Sequence, residues 1–576
     1  MDLRFIGAEV SEGEREAIHA AVPAAEVVEV DGRVVRTDRT SLRHHLLPAL
    51  DAVQSAIGYV SEGAVDEIAH RLHVPPAEVY SVATFYALIQ TEPRPPVVAH
   101  VCDDVACRSA ADLVGELGDR DDVVASPCLG QCDRRPAVFF QRAGSPDLVA
   151  APATASEVSS VLDGAESITL EPTVDAGPLL RRVGRVDPGS LDAFRSTGGY
   201  VALARAIEMG PEAVIAELET SGLKGRGGAA FPAGVKWESV RKQPTGPKYV
   251  VCNADESEPG TFKDRVVLEG DPFAVIEALT IAGFSTGATK GFIYIRGEYP
   301  LATERLRTAV AAARNAGLLG DDVAGAGFAF DIEVRRGQGA YICGEETALF
   351  NSIEGFRGEP RQKPPFPVFE GLFGRPTVIN NVETLINVNR VLTEGGETYA
   401  ASGTPDSTGT RLFCLSGDVA RPGVYEVEFG MTLGDLIERA GGAAGDLGFV
   451  MLGGAAGSLV DASALDLRLT FEDARAAGVS LGSGVVMVFN TEVDMVDIVR
   501  RIARFFRDES CGQCVPCRVG TARVEEAVSR ANGSVEASLI EDMDRAMKDA
   551  SICGLGHTAA SVVRSAIALG ILGEPQ

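Results

Sequence analysis

The stretch Gly222–Trp237 reads GLKGRGGAAFPAGVKW, and it organises the interpretation of the whole chain. Its five glycines leave the backbone bare, so a flat or phosphorylated ligand can approach the peptide N–H groups closely. Lys224, Arg226 and Lys236 add positive charge, and Phe231 adds an aromatic face. This combination predicts a site for an anionic, aromatic cofactor, with a mobile glycine loop as the alternative interpretation.

Two further stretches place carboxylates at turns that follow apolar runs, and both runs are predicted to be strands. Residues 249–265 read YVVCNADESEPGTFKDR, and residues 337–349 read GQGAYICGEETAL, with a helix predicted after its Gly-Glu-Glu turn. Open α/β sheets bind ligands at turns of this kind. The G-x-G-x-x-G pattern of ordinary dinucleotide-binding domains is not found here, so an ordinary Rossmann domain is not favoured. The carboxylates at the two turns are Asp255, Glu256, Glu258, Glu345 and Glu346.

Length, charge and hydropathy limit the classes of function. A chain of 576 residues is too long for one hydrophobic core, so several domains are expected. The formal charge of −28 argues against a nucleic-acid partner, because phosphates would be repelled. We see no apolar run of membrane-spanning length and no signal-like N-terminus, and therefore predict a cytoplasmic protein.

Four cysteines in the N-terminal third form two close pairs. A strand-like run ends near the first pair, and a second apolar run precedes the second pair. Each pair suits one iron of a [2Fe-2S] cluster, while a zinc site and paired disulfides are the alternatives. The four residues are Cys102, Cys107, Cys128 and Cys132.

A second cysteine group lies near the C-terminus. Cys511, Cys514 and Cys517 repeat at two-residue spacing, and Cys553 follows in a short turn between helical segments. Three thiolates from one loop and a remote fourth suit a [4Fe-4S] cluster, with zinc as the alternative occupant and His557 as an alternative fourth ligand. The remaining three cysteines stand alone in apolar runs and are predicted to be buried, inert thiols: Cys252, Cys343 and Cys414.

Apolar spacing predicts the elements around these motifs. Residues 46–89 have helical spacing interrupted at Gly58 and Pro75-Pro76, so three or four short helices are expected. Helical segments at 273–287 and 299–317 flank a predicted strand, and residues 411–442 predict strand, turn, strand and helix. Near the C-terminus, six apolar residues are predicted to line one face of a helix: Met495, Ile498, Val499, Ile502, Phe505 and Phe506.

Several long motifs, in a fixed order, resemble one family. GRGGAAFPAGVKW, CNADESEPGTFKDR, GAYICGEETAL, KPPFP and PTVINNVETL resemble the flavin-binding, NADH-reacting subunit of respiratory complex I and its homologues in NAD-linked formate dehydrogenases and NAD-reducing hydrogenases. This resemblance covers roughly residue 187 to the C-terminus. The helices ending in ATFY, the Cys-x4-Cys pair and CLGQC resemble the thioredoxin-like [2Fe-2S] subunit that partners this flavoprotein, here fused to its N-terminus.

The resemblance implies a multidomain α/β protein. It has N-terminal helices, a thioredoxin-like [2Fe-2S] domain, an α/β FMN-binding domain, a β-grasp insert, and a C-terminal helical bundle with a [4Fe-4S] cluster. The segment between Cys107 and Cys128 is shorter than the family pattern, so a strand or helix is expected to be missing there. The expected divisions are an N-terminal extension (1–40), a helical segment (41–95), the [2Fe-2S] domain (96–165), a linker (166–186), the FMN/NAD(H) domain (187–404), the β-grasp domain (405–490) and the [4Fe-4S] domain (491–576).

The resemblance also implies which residues contact the cofactors. The expected FMN contacts are Gly225, Arg226, Gly227, Lys236, Asn253, Asp255, Glu256, Tyr341, Gly344, Glu345, Asn380, Asn381 and Thr384. The residues expected to face NAD(H) are Phe231, Glu258, Glu346, Lys363 and Phe366, with Glu258 and Glu346 as the catalytic pair. Both cysteine groups are implied to hold iron–sulfur clusters. Ala230 departs from the family, which has a glycine at this position.

The implied activity is hydride exchange between NAD(H) and FMN, followed by single-electron transfer through the clusters. The favoured interpretation is the β (diaphorase) subunit of an NAD-dependent formate dehydrogenase, in a hetero-oligomer with a molybdenum- or tungsten-dependent α subunit that carries further clusters. One alternative is the flavoprotein of complex I or of an NAD-reducing hydrogenase. The other is a flavin-free electron carrier or scaffold.

Overall fold

The computed structural model describes residues 7–23, 27–30, 33–36, 42–108, 110–164, 174–175, 177–244, 246–530 and 535–573. Parts of the predicted N-terminal extension and linker lie outside these residues. In the described part of the chain, no helix has both the length and the apolar character to cross a bilayer. Eight buried cysteines and three partly exposed ones are all free thiols.

The N-terminal region is helical, as predicted. The first α-helix after residue 42 ends just before Gly58, which has a φ of 93°, and the last helix of this group begins at Pro76. Both helix boundaries therefore lie at the predicted interruptions of the helical pattern. An additional helix from the predicted extension packs against this group. The elements are α1 (Glu12–Ala21), β1 (Val27–Val30), β2 (Arg33–Arg36), α2 (Leu46–Ile57), α3 (Glu62–Leu72) and α4 (Pro76–Ala83).

A four-stranded sheet with two helices follows. Its strand order is β4-β3-β5-β6, in which β3 and β4 are parallel and the other pairs antiparallel. The short segment between Cys107 and Cys128 contains both a helix and a strand, so the expectation of a missing element is wrong. The elements are β3 (Val97–Cys102), α5 (Ala110–Leu117), β4 (Val123–Ser126), β5 (Val138–Arg142), β6 (Leu148–Ala150) and α6 (Ala155–Leu162).

The described part of the predicted linker is packed against its neighbours. A two-residue strand, β7 (Val174–Asp175), pairs with a strand of the β-grasp insert. Leu180 and Val183 are buried in the main core. These residues therefore help to join the insert to the domain predicted to bind FMN, which is called the flavin domain below, and the expectation of a simple linker does not hold for them.

The flavin domain alternates helices with parallel strands. The predicted order of helix, strand and helix between Phe273 and Gly317 is confirmed. The domain contains α7 (Leu191–Ser196), α8 (Val201–Met209), α9 (Pro211–Ser221), α10 (Ala233–Arg241), β8 (Tyr249–Ala254), α11 (Lys263–Gly270), α12 (Pro272–Thr286), β9 (Lys290–Ile295), α13 (Pro300–Asn315), β10 (Asp331–Arg336), α14 (Glu346–Ile353), β11 (Thr377–Asn381), α15 (Val382–Glu394) and α16 (Gly396–Ala400).

The order of the parallel strands creates a crevice in this domain. The strand order in the sheet is β10-β9-β8-β11. β9 and β10 therefore lie on one side of β8, and β11 lies on its other side. The strand order therefore reverses between β8 and β11. Loops from the carboxyl ends of these two strands diverge there, which is the ordinary ligand position in an open α/β sheet.

The insert and the C-terminal helices complete the chain. The insert has the predicted strand, turn, strand and helix order, and it contributes to a six-stranded mixed sheet. All six apolar residues predicted for one face of the first C-terminal helix are buried. The elements are β12 (Thr410–Gly417), β13 (Gly423–Glu428), α17 (Leu433–Arg439), β14 (Leu447–Leu452), β15 (Ser458–Asp461), α18 (Phe471–Ala476), β16 (Val485–Asn490), α19 (Met495–Asp508), α20 (Val515–Arg530), α21 (Ala537–Ala550), α22 (Gly554–Thr558) and α23 (Ser561–Ala568).

The small N-terminal sheet domain contacts each of the three regions that follow it. Arg108 donates to both carboxylate oxygens of Asp418 in the insert, at 2.7 and 2.8 Å. Asp103 accepts from Arg501 of α19 at 2.6 Å. Gly130 packs directly against the flavin domain with a φ of 64°, and a Cβ atom there would lie 2.1 Å from the hydroxyl of Tyr299.

We predict that Gly130→Ala weakens this domain contact. The left-handed backbone costs alanine about 1 kcal/mol, and the clash with Tyr299 adds about 1–3 kcal/mol of overpacking. Gly118→Ala is the matched control, because Gly118 has a φ of 76° with open space around its Cβ position. Thermal unfolding should show a larger loss for Gly130→Ala than for Gly118→Ala, and equal losses would contradict the packing argument.

Candidate functional site

The carboxyl ends of β8 and β11 bring predicted site residues together. Asn253 and Asn381 are register partners at the ends of the two parallel strands. The preceding Asn380 accepts a hydrogen bond of 2.8 Å from the indole of Trp237, which is fully buried. Sequence reasoning did not assign Trp237 a role, although it is the single tryptophan of the chain and ends the glycine-rich motif.

The glycine-rich loop folds back on itself next to these strand ends. The N–H of Gly225 donates to the carbonyl of Phe231 at 2.9 Å, so the loop is an ordered turn and not an open coil. A Cβ atom on Gly227 would lie 3.1 Å from Asn381, which makes glycine the residue that allows this approach. Ala230 has a φ of 53°, a left-handed conformation that a glycine would adopt without strain.

The side chain of Arg226 corrects one prediction from the sequence. It is 1% exposed, and its guanidinium donates to the carbonyls of Lys224 and Thr408 at 3.1 and 2.9 Å. Its backbone N–H donates to Thr384 at 2.8 Å. The guanidinium therefore anchors the loop to the chain before β12, and it does not add its charge to the crevice.

Glu256 gives a second correction. Its Oε1 accepts from the Thr261 hydroxyl and the Asp264 N–H at 2.9 Å each, and its Oε2 accepts from the Arg265 N–H at 2.9 Å. The Tyr299 hydroxyl also donates to Oε2 at 3.2 Å. With four protein partners and 5% exposure, this carboxyl fixes the start of α11 and is not directed at a ligand. Burial raises its pKa to about 7.

The neighbouring carboxyls of the same turn have different environments. Asp255 accepts from Ser257 at 3.0 Å, and burial raises the pKa of its carboxyl to about 8. Glu258 accepts from the N–H of Ala456 and the hydroxyl of Ser483, both at 2.8 Å, and these partners lie in the β-grasp insert. Glu258 therefore joins two domains beside the crevice, and its catalytic role stays a prediction.

A chain of alternating charges lies at the start of α14. Glu345 caps this helix by accepting from the N–H groups of Thr347 and Ala348 at 2.8 and 3.0 Å. The ammonium of Lys363 donates to Glu345 at 2.8 Å and to Glu346 at 2.7 Å. Although burial acts to lower the pKa of Lys363, the two carboxylates outweigh burial and raise it.

Glu346 is also within reach of a second lysine. Its Oε2 lies 3.7 Å from the ammonium of Lys236, which donates to the carbonyl of Ile379 at 3.1 Å. Burial lowers the pKa of Lys236. Glu346 thus holds two cations near the strand ends, in an arrangement suited to a ligand with both anionic and polar groups.

Exposed aromatic side chains complete the predicted nucleotide site. Phe231 is 51% exposed and Phe366 is 52% exposed, so their ring faces are available for stacking. Phe369 is 56% exposed and follows on the same turn. Sequence reasoning did not single out Phe369.

The turn Tyr341–Gly344 connects the crevice to the second cysteine group. It is a 3₁₀ turn, so the strand predicted for this run is wrong, whereas the helix after it is confirmed. The Gly344 carbonyl accepts from Asn253 at 2.8 Å, and the Tyr341 N–H donates to Glu509 at 2.9 Å. Ile342, between them, lines a small cavity that is also lined by four cysteines: Cys511, Cys514, Cys517 and Cys553.

The cysteines of each predicted group share one location. Cys128 and Cys132 have sulfur atoms 3.4 Å apart, and Cys102 and Cys107 are buried in the same domain. The pKa of Cys128 is well below its usual range, first because Cys102 and Cys132 donate hydrogen bonds to it. In the C-terminal group, a ring nitrogen of His557 lies 3.0 Å from the Ser551 carbonyl, a contact that occupies one possible ligand atom.

Comparison with known families identifies these regions. Among the described residues, no three His, Cys, Asp or Glu side chains are arranged for a single metal ion, so the cluster assignment depends on this comparison. The matching models are the Nuo51 FMN-binding domain (218–390), the NADH-ubiquinone oxidoreductase-F iron-sulfur binding region (497–569), the thioredoxin-like [2Fe-2S] ferredoxin (34–115) and the SLBB domain (412–448).

Relatives in two kinds of enzyme support the same conclusion. The corresponding subunit of the NADH-quinone oxidoreductase of Aquifex aeolicus is 43% identical over 394 residues, which are 68% of this chain and 91% of that protein. The chain belongs to this flavoprotein family. The alpha subunit of the NAD-reducing hydrogenase HoxS of Cupriavidus necator is 35% identical over 554 residues, which are 91% of this chain and 90% of that protein.

A solved structure shares the fused arrangement of this flavoprotein. A chain of an NAD⁺-reducing [NiFe]-hydrogenase in the air-oxidized state superposes with a TM-score of 0.80 and 33% identity, covering 94% of this chain and 95% of that one. The predicted fold class is therefore confirmed, and the flavoprotein contains FMN-binding, [2Fe-2S] and [4Fe-4S] domains together.

We predict that Ala230→Gly stabilises the flavoprotein by about 0.5–1 kcal/mol, because glycine relieves the left-handed strain at a small entropic cost. Ala324→Gly is the matched control, since Ala324 has the same φ of 53° in a different turn. Thermal unfolding should show a similar gain for both variants. A loss confined to Ala230→Gly would show that the methyl group makes a contact that outweighs the backbone strain.

Proposed function

We propose that the flavoprotein exchanges electrons between NAD(H) and a one-electron partner through FMN. One observation carries this proposal: the turn Tyr341–Gly344 contacts the crevice residue Asn253 at one end and the four-cysteine cavity through Ile342. A hydride acceptor and a one-electron carrier would thus be separated by a single turn of backbone.

The residues at the crevice fit FMN. Glycines allow close approach, amide side chains offer donors and acceptors, and Lys236 offers a cation for an anionic group. When bound, FMN accepts a hydride from NADH and releases electrons singly. We infer that its contacts come from the backbone of Gly225, Arg226, Gly227 and Gly344 and from the side chains of Lys236, Asn253, Asp255, Asn380 and Asn381, while Glu345, Tyr341 and Thr384 support them.

NAD(H) would then lie on the exposed side of this cradle. Phe231 and Phe366 offer faces for the adenine or nicotinamide ring, and Lys363 offers a donor that Glu346 orients. Glu346 and Glu258 would orient the nicotinamide, so that no covalent intermediate with the protein is required. The cysteines at 102, 107, 128 and 132 would hold the [2Fe-2S] cluster, and those at 511, 514, 517 and 553 the [4Fe-4S] cluster.

The partner of the flavoprotein has three candidates. The sequence predicts a formate dehydrogenase, with a molybdenum- or tungsten-dependent α subunit that carries further clusters, and the alternatives are complex I and an NAD-reducing hydrogenase. The relative that matches 91% of this chain belongs to a hydrogenase, and this observation favours the hydrogenase over complex I. In each of these complexes the flavoprotein would have the same electron-transfer role.

We predict that Glu346→Gln lowers NADH turnover with an artificial acceptor about tenfold or more, because the charge-assisted hydrogen bond from Lys363 and the ion pair with Lys236 are lost. Flavin and iron contents should stay normal. Steady-state kinetics with flavin and iron analysis provides the measurement.

Glu333→Gln is the matched control for this variant. Glu333 also lies between two cations, at 3.4 Å from Lys290 and 2.6 Å from Arg335, but within strand β10 and not at the strand ends. The NADH turnover of Glu333→Gln should be unchanged. Loss of FMN from Glu346→Gln would show that this side chain supports the flavin and not the nicotinamide.

We predict that the flavoprotein purified from its native host is yellow-brown and brings a metal-containing partner. Molybdenum or tungsten with formate-dependent NAD⁺ reduction would support the formate dehydrogenase. Nickel with hydrogen-dependent NAD⁺ reduction would support the hydrogenase and reject the formate assignment. A protein without FMN, or with zinc in its cysteine sites, would contradict the electron-transfer function itself.

A further inference from the structure

We propose that Arg296 and Glu298 position the loop that carries Cys128 and set the charge around the [2Fe-2S] centre. Arg296 raises the reduction potential of this centre, and Glu298 lowers it. This inference rests on the proposed role of Cys128 as a cluster ligand. Neither residue belongs to the contacts expected for FMN or NAD(H).

Arg296 connects the flavin domain to the cysteine loop. The residue follows β9 and is 2% exposed. Its Nη1 donates to the carbonyl of Glu256 at 2.7 Å, and its Nη2 donates to the carbonyl of Cys128 at 2.7 Å. One guanidinium therefore joins the turn after β8, at the flavin crevice, to the backbone of a cluster cysteine.

Glu298 supplies the opposing charge. Its Oε1 accepts from Nη2 of Arg296 at 2.8 Å, and its Oε2 accepts from Nε at 3.3 Å. Glu298 is 9% exposed, so the pair has little direct contact with bulk water. With these bonds, each of the three guanidinium nitrogens of Arg296 has at least one partner, and the orientation of the group is fixed.

A second arginine holds the same loop two residues further on. Arg265 is fully buried, and its Nε donates to the carbonyl of Gly130 at 2.9 Å while its Nη2 donates to Asp133 at 2.8 Å. The charge of Arg265 is balanced by Asp133 and Glu269. Arg296 differs because it donates to the cysteine residue itself.

The sign of each effect follows from electrostatics. Reduction adds one electron to the centre, so a nearby cation favours the reduced form and a nearby anion disfavours it. Without Arg296, the carboxylate of Glu298 loses the cation that is hydrogen-bonded to it, and the potential becomes more negative. Without the Glu298 charge, Arg296 loses its hydrogen-bonded anion, and the potential becomes more positive. A cavity of about 360 Å³ borders both residues, and water in it screens part of the charge without reversing the sign.

The test is a redox titration of the full-length flavoprotein, or of its native complex, monitored by electron paramagnetic resonance. Arg296→Gln should shift the [2Fe-2S] midpoint to more negative values and Glu298→Gln to more positive values. Arg296→Lys keeps the positive charge but not the planar guanidinium, so its [2Fe-2S] midpoint should lie nearer that of the wild type. The [4Fe-4S] signal serves as an internal reference and should not move.

Arg411→Gln is the matched control, because Arg411 is fully buried and also donates to backbone carbonyls, at Leu481 and Gly482. It should leave both midpoints unchanged. Shifts of the same sign in Arg296→Gln and Glu298→Gln, or no shift in either, would overturn the charge-setting role.

Loss of the [2Fe-2S] signal in Arg296→Gln alone would support the positioning role, and Glu298→Gln would then decide the charge effect. The ligand assignment is tested separately by Cys128→Ser. A normal, unshifted [2Fe-2S] signal in Cys128→Ser would refute the ligand role of Cys128, and with it the basis of this inference, whatever the Arg296 variants show.

Discussion

The hydrogen bonds accepted by Glu256 are the constraint on which the rest of the structure depends. A buried carboxyl that lacked partners would destabilise the fold, so its four donors and the loop that carries it must stay in place together. These donors come from the turn before α11, from the start of α11 and from Tyr299. The same loop presents Asp255 to the crevice and Glu258 to the β-grasp insert, and its backbone carbonyl receives Arg296.

Around this loop, each domain contact also supports the functional site. The insert reaches the crevice through Glu258, and the glycine-rich loop is anchored by Arg226. Tyr299 contacts both Glu256 and the cysteine loop at Gly130. Because these residues sit between domains, a substitution at one of them changes both the packing of the chain and the shape of the site. Separating the two effects requires matched control variants.

The sequence predicted the order of elements well, because helices and strands have a periodicity. Gly58 and Pro76 mark real helix boundaries, and the run between Phe273 and Gly317 alternates as expected. Turns have no such periodicity. The composition of residues 340–343 is typical of a strand, yet Tyr341–Gly344 is a 3₁₀ turn, and Glu345 directly after it is the N-cap of α14. The motifs predicted that Arg226 and Glu256 lie near the site, but they did not predict where the two side chains point. The direction of each side chain depends on a partner that is distant in sequence, Thr408 for Arg226 and Tyr299 for Glu256.

The fusion of the small sheet domain to the flavoprotein has a consequence for assembly. Two separate subunits must find each other by diffusion, and their ratio in the cell follows their rates of synthesis. In one chain the ratio is fixed at one to one, and covalent attachment raises the effective concentration of each surface for the other. The Gly130–Tyr299 contact can therefore be small without risk of dissociation, and evolution is free to adjust it for electron transfer instead of affinity.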